Sequence, residues 1–290
     1  MVAGSNPAGG ATTYAYELSM QIGEILSFGF WMEKEGYRPA TVRSAIEALK
    51  SVARYVELLD ADAVKTYLAK ATFSDSRKER LSNDLLRFYK YRGLNFNKPR
   101  YRKIERLPFI PTEKELDQLI GGMRKRLAAF LLLLKETGLR CGEAWALRWA
   151  DLDAERATVN VAPEKNSKPR QLKISNQLTA MLNALSRTSS YIFHDAEVDQ
   201  ITSLCHFRRN FEKRRKKLAV ALQNPRLAQV HFHTLRRWKA TSEYHRTKDI
   251  LHVMQLLGHK NIRNTLVVNL PSLQQEARNR RARWVSPRCG

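Results

Sequence analysis

Apolar residues recur at helical spacing through most of the chain, and in one short stretch they alternate instead. Ile25, Phe28 and Met32 fall at i, i+3 and i+7 with Trp31 beside them, and the pattern stops at Glu35-Gly36. Pro39-Ala40-Thr41 then opens a second helix with Val42, Ile46, Leu49, Val52 and Val56 on one face and Arg43, Lys50 and Arg54 on its other side. A third helix is expected near 61–70. A fourth is expected near 75–91, with Leu81, Leu85, Leu86 and Tyr89 inward. Residues 14–93 therefore read as a small all-helical domain. Residues 1–13, small, Gly-rich and uncharged, read as a flexible tail ahead of it.

Residues 94–111 read as a basic, extended linker that Pro99, Pro108 and Pro111 keep out of helix. Thr112 and Glu115 then stand at capping-box spacing, which marks a second domain over 112–270. A long apolar helix is expected over about 124–136. Residues 157–162 and 170–175 alternate at period two around a seven-residue turn bearing Lys165 and Lys168, the pattern of a β-hairpin. Helices return near 177–185, 199–222, 235–245, 248–257 and 261–266. The expected fold is mainly α with a small β-hairpin or sheet, an α+β chain without internal repeats.

Composition narrows the partners. The chain has 290 residues, with 51 Lys plus Arg against 28 Asp plus Glu and a net charge of +23. At 43% hydrophobic residues it can build a packed core and is too apolar for a mostly disordered protein. A folded chain this basic points to a polyanion, with nucleic acid ahead of ribosome-like or membrane-surface roles. The longest apolar run, 127–134, is far short of the roughly 18–20 residues that span a bilayer, so no membrane role is expected. No charged segment followed by an apolar stretch opens the sequence, which argues against a secretory signal. Cys141, Cys205 and Cys289 have neither disulfide density nor C-x-x-C spacing, and a reducing, cytoplasmic setting is expected.

Four basic points in the second domain carry candidate chemistry. Arg140 sits in Thr137-Gly-Leu-Arg-Cys-Gly-Glu143, where Gly138 and Gly142 permit tight backbone and Glu143 is placed to pair with an arginine. Taken alone, this segment also reads as a helix C-cap followed by a new helix start. Lys165 and Lys168 lie on the hairpin turn, where lysines are usually solvated. His233 and Arg236 are three apart and share a face if they lie at a helix start. His259 follows Gly258, which reads as a helix-ending glycine. His231 and His233 lack a carboxylate or cysteine at ligand spacing, so no metal site is expected. Two guanidiniums, a lysine and two imidazoles suit a phosphate gaining negative charge: arginine matches its oxygens bidentately, and lysine or histidine can protonate a leaving sugar oxygen.

This order of residues resembles the tyrosine recombinase (phage-type integrase) family. The likeness is closest to archaeal integrases, in TGLRCGEAWALRWADLD, HFHTLRRWKAT and HVMQLLGHKNIRNTL. It covers about residues 113–270 with specific motifs, and residues 14–93 only as a generic helical core-binding domain. The resemblance implies a C-shaped clamp on duplex DNA with paired half-sites, assembled as a tetramer and associated with the nucleoid. It implies a tyrosine attack giving a 3′-phosphotyrosyl link, with no cofactor, metal or nucleotide. By motif, Arg140 and Arg236 would clamp the phosphate. Lys165 would be the general acid with Lys168 as alternate, and His233 and His259 would assist. Glu143 would give structural support.

The sequence departs from the family at the nucleophile. The family carries a tyrosine about one helix after Gly-His, whereas this stretch reads Thr265-Leu-Val-Val-Asn-Leu270, with either Val268 at the expected place or one residue lost between Val267 and Val268, and no tyrosine after Tyr244. Tyr244 reads as a core residue on the helix after Arg236. Arg237 stands where the family often has histidine. From Pro271 the composition shifts, and Arg278, Arg280, Arg281, Arg283 and Arg288 crowd together. Residues 271–290 fit either a basic DNA-binding tail or the product of a shifted reading frame near codon 267. Three readings follow: a recombinase, a catalytically inactive DNA-binding relative, and an unrelated basic helical protein that binds RNA or ribosomes.

Overall fold

The computed structural model describes residues 8–101, 108–164, 167–194 and 200–266, with the side chains of 8–18 and 200–202 outside that description. Residues 1–7 of the expected tail 1–13, residues 102–107 of the expected linker 94–111, the expected tail 271–290, and the positions Lys165 and Val268 lie outside the described residues. The chain divides into two compact units, Met1–Glu105 and Arg106–Gly290.

Among its described residues the first unit has four helices, α1 (Ala8–Lys34), α2 (Pro39–Ala53), α3 (Ala61–Lys70) and α4 (Asp75–Tyr91). Helix α1 starts six residues ahead of the expected Tyr14 and takes in residues 8–13, which the sequence reading gave to a flexible tail. Lengthening a formed helix costs far less than nucleating one, and Ala8 and Ala11 favour it. Gly36, at φ +76°, turns the chain after α1. Asp60 caps α3 by accepting from the Asp62 and Ala63 amides at 3.0 and 2.9 Å. Ile25, Phe28, Met32, Val42, Leu49, Val52, Leu81, Leu85 and Tyr89 are buried together as their spacing predicts. Phe28 packs edge-on against Phe88, 5.6 Å between ring centroids. Leu86, expected inward, is 41% exposed. It lies one step past the stripe of Leu81, Leu85 and Phe88, about 100° around the helix from Leu85.

In the second unit, the Thr112 hydroxyl accepts from the Glu115 amide at 3.2 Å and the Glu115 carboxylate accepts from the Thr112 amide at 2.7 Å. This closes the expected capping box at the start of α5 (Glu113–Gly121). Helix α6 (Lys125–Thr137) is buried on every side from Leu127 to Leu134. Phe130, at its middle, meets Trp145, Phe193, Phe207 and Phe232 edge-on at 5.0–6.0 Å. Around α6 pack α5, α7 (Cys141–Trp145), α8 (Asn176–Asn183) and α10 (Phe232–Thr247). Helix α9 (Gln200–Ala221) precedes α10, and α11 (Ile250–Leu257) follows it.

The hairpin forms as β2 (Thr158–Val161) and β3 (Arg170–Lys173), antiparallel, with Thr158 opposite Lys173 and Val161 opposite Arg170. A third strand, β1 (Leu152–Asp153), adds to β2. At two residues it is too short to show alternation. Helix α10 begins three residues earlier than expected, because the Thr234 hydroxyl accepts from the His231 amide at 3.0 Å and closes the first turn. His233 and Arg236 thus both lie inside α10.

Candidate functional site

Two helix ends create the site. Helix α6 stops at Gly138, whose φ of +64° turns the chain sharply before Arg140. Helix α11 stops at Gly258, at φ +66°, just before His259. Both conformations suit glycine, since a Cβ is disfavoured in the left-handed region. A Cβ at Gly258 would also lie 2.7 Å from the Arg170 guanidinium.

Arg236 reaches between these ends and is only 1% exposed. Its Nη1 donates to the Gly138 carbonyl at 2.6 Å, and its Nη2 donates to the Leu257 carbonyl at 2.8 Å. Both acceptors belong to the negative ends of helix dipoles, which suit a cation. Nη2 also lies 2.8 Å from His259 Nε2. A guanidinium only donates, so Nε2 is the bare acceptor and the His259 ring proton sits on Nδ1, from which it donates to Thr265 Oγ1 at 2.9 Å. Burial, with Arg236, Arg140 and Arg170 nearby, pushes His259 down to about 4, so the ring is neutral at pH 7. Burial and the Arg140 charge push Arg236 down to about 9, which leaves it a cation at neutral pH.

Glu143 organises the other half. It is 3% exposed. Its carboxylate accepts from the Arg140 amide and guanidinium, both at 3.0 Å, from Arg170 Nη2 at 2.8 Å and from the Ser167 hydroxyl at 2.7 Å. Burial pushes this carboxyl up, but Arg170, Ser167 and Arg140 outweigh it and hold it at about 2. One carboxylate therefore ties the start of α7 to the hairpin turn. The turn also docks on the α11 end, where the Lys168 amide donates to the Gly258 carbonyl at 3.3 Å.

The structure thus brings Arg140, Arg236 and His259 into one electrostatic neighbourhood, with Glu143 beneath Arg140. His233 is exposed, one turn before Arg236 on α10. The surrounding protein and the charges of Arg237, Arg236 and Arg140 hold its imidazole well below its ordinary range. The Lys168 side chain is exposed. His231 is committed to a guanidinium, with Arg215 Nη1 at 2.9 Å from its Nδ1. Tyr244 is 8% exposed and packs with Ala240, Val253 and Leu257 in a small core, as its place on the helix predicts.

Sequence reasoning missed Arg170, Ser167 and Thr265. Arg170 is the first residue of β3, its side chain 8% exposed, and alternation alone gives no sign that this basic residue turns inward. Chemically, two guanidiniums share the Glu143 carboxylate, a third, Arg236, is held by carbonyls and His259, and two imidazoles are held neutral. The surplus of fixed donors suits an oxyanion, and the neutral rings add hydrogen-bonding nitrogens without adding charge. The hydroxyls of Ser167 and Thr265 are already engaged, with Glu143 and His259.

The sequence and fold are similar to those of known proteins. Residues 111–268 match the Phage integrase family. The tyrosine recombinase XerA of Thermococcus kodakarensis is 26% identical over 266 residues, covering 84% of this chain and 89% of that protein. The tyrosine recombinase XerC of Xanthomonas campestris is 32% identical over 167 residues, covering 56% of this chain and 47% of that protein. Among solved structures, the fold is similar to the Tn1549 transposon integrase in complex with transposon right end DNA, with a TM-score of 0.63 at 15% identity over 88% of this chain and 98% of that one. It is also similar to a lambda integrase tetramer bound to a Holliday junction, with a TM-score of 0.58 at 15% identity over 82% of this chain and 77% of that one.

Proposed function

Since this chain belongs to the phage integrase family of tyrosine recombinases, we propose that it binds duplex DNA at paired half-sites and grips a backbone phosphate, without a nucleophile of its own to cut the strand. The observation that carries this reading is Arg236, a fully buried cation held by two helix ends and His259, with no carboxylate bonded to it among the described residues. Such a guanidinium keeps its charge for an anionic ligand. Arg140 and Arg236 clamp the phosphate, and His233 and His259 contact it or move its protons. Lys165, with Lys168 as alternate, is the acid for a leaving 5′-oxygen. Glu143 holds Arg140 and the hairpin in register.

Attack on phosphorus needs a hydroxyl. In these 290 residues no tyrosine follows Tyr244, and Val268 stands at the expected position. Every copy shares that sequence, so an assembly of this chain alone carries no family nucleophile. Cleavage would require a tyrosine from a related but different recombinase. The catalytic unit spans 112–270, and 14–93 is the second DNA-binding domain, joined through 94–111. DNA-bound relatives, including a tetramer, support self-assembly on DNA. No helix among the described residues is long and apolar enough to cross a membrane, and we place the protein in the cytoplasm, on the nucleoid.

The test is selection of duplexes from a random library by the full chain, followed by titration of affinity against salt. Inverted half-sites are expected. The logarithm of affinity should fall linearly with the logarithm of salt, by about 0.9 per phosphate contacted, and Arg140→Gln should remove about one such contact. Preference for RNA, or no inverted repeat among the selected duplexes, contradicts the reading.

A further inference from the structure

Arg236 has a counterpart. Arg215, on α9, is 3% exposed. Its Nη1 donates to the Val230 carbonyl and lies 2.9 Å from His231 Nδ1. Its Nε is buried without a hydrogen-bond partner among the described residues. Like Arg236, it is a buried guanidinium that donates to an imidazole nitrogen and forms no ion pair with a carboxylate among the described residues. A buried cation without an anion is costly, and the cost falls when an anion comes close.

The histidine carries this charge outward. Because Arg215 only donates, His231 Nδ1 is the acceptor and the ring proton sits on Nε2. Nδ1 is engaged, so Nε2–H is the ring's free donor. His231 lines a cleft of about 230 Å³ together with Cys141, Arg208, Glu212 and His233. Arg208 is anchored there, its Nη2 2.7 Å from the Cys141 sulfur, one residue from Arg140. Cys141 and His233 both line this cleft; Cys141 follows Arg140 directly, and His233 lies one turn before Arg236 on α10, so the cleft adjoins the phosphate site. Against the single carboxylate of Glu212, the cleft has Arg208 at its edge and Arg215 behind His231.

We propose that this cleft is a second phosphate subsite, in which Arg208 and the Nε2–H of His231, oriented by Arg215, hold the backbone phosphate adjoining the one gripped by Arg140 and Arg236. This rests on the DNA-binding reading above. Arg208 and His231 are contact residues, and Arg215 is a positioning residue that fixes the His231 tautomer.

The test pairs protein and DNA replacements in the full chain, on the selected duplex. Arg208→Ala and His231→Phe should each weaken binding about tenfold, the scale of one charge-assisted hydrogen bond, and Glu212→Gln should tighten it. Single backbone phosphates are then replaced, one position at a time, by uncharged methylphosphonates. At one position the parent should lose the same factor and Arg208→Ala should lose nothing further. A difference between parent and Arg208→Ala that persists at every replaced phosphate overturns the proposal, as does a His231→Phe chain that binds like the parent. Inorganic phosphate separates the subsite from the DNA reading: it should shift the His231 ring resonances in the parent and not in Arg208→Ala. A chain that binds no duplex DNA but shows this shift keeps the anion subsite and loses the DNA reading. Absence of the shift removes the subsite.

Discussion

Glu143 is the residue on which the site's charges converge. It joins Arg140, Arg170 and Ser167 through one carboxylate. Glu143→Gln should leave two guanidiniums short of a buried partner and cost about 3 kcal/mol in chemical unfolding. Its carboxyl sits at about 2 against an ordinary 4.5. Because the folded value is depressed, the stabilisation is present above about 4.5 and is lost as pH falls toward 2. His259, at about 4 against an ordinary 6.5, has the same sign: the stability it supports is lost between 6.5 and 4. Unfolding followed from pH 7 to 2 should show the Glu143 loss flattened in Glu143→Gln, and the His259 loss flattened in His259→Asn. At this scale Arg140, Arg236 and His259 were legible, because their order along the chain survives in sequence. Arg170 was not, because its inward turn is set by a carboxylate 27 residues earlier.

Among elements, the hairpin and the helix-ending glycines were readable because period-two alternation and left-handed backbone both leave local marks. The two-residue β1 left none. The early start of α10 turned on one Thr234 hydroxyl, and the exposure of Leu86 on one step around a helix. Gly258→Ala tests the importance of the α11 end. The added Cβ meets both a φ of +66° and the Arg170 guanidinium at 2.7 Å. The variant should lose about 2 kcal/mol in denaturant unfolding, and it should disturb the His259–Arg236 contact, visible as a rise in the His259 pKa. Unchanged stability and an unchanged His259 titration would mean the turn absorbs the methyl group freely.

For the whole molecule, the chain divides into two compact units after Glu105, and prolines at 99, 108 and 111 interrupt the helical pattern on both sides of that point. The charge of +23 indicated a polyanion without naming one. Buried Arg236 and Arg215, which form no ion pair with a carboxylate among the described residues, suit an oxyanion such as a backbone phosphate. Placing tyrosine at Val268, or inserting one after Val267, should restore strand cleavage if the phosphate site is intact, read as a covalent protein–DNA adduct. Failure of both repairs would show that more than the nucleophile has been lost. Phosphate binding without autonomous cleavage is decided by a nicked suicide version of the selected duplex, incubated with the purified chain and resolved on a denaturing gel. Full binding is expected under native conditions, with no covalent adduct on the denaturing gel. An adduct formed by this chain alone would contradict it.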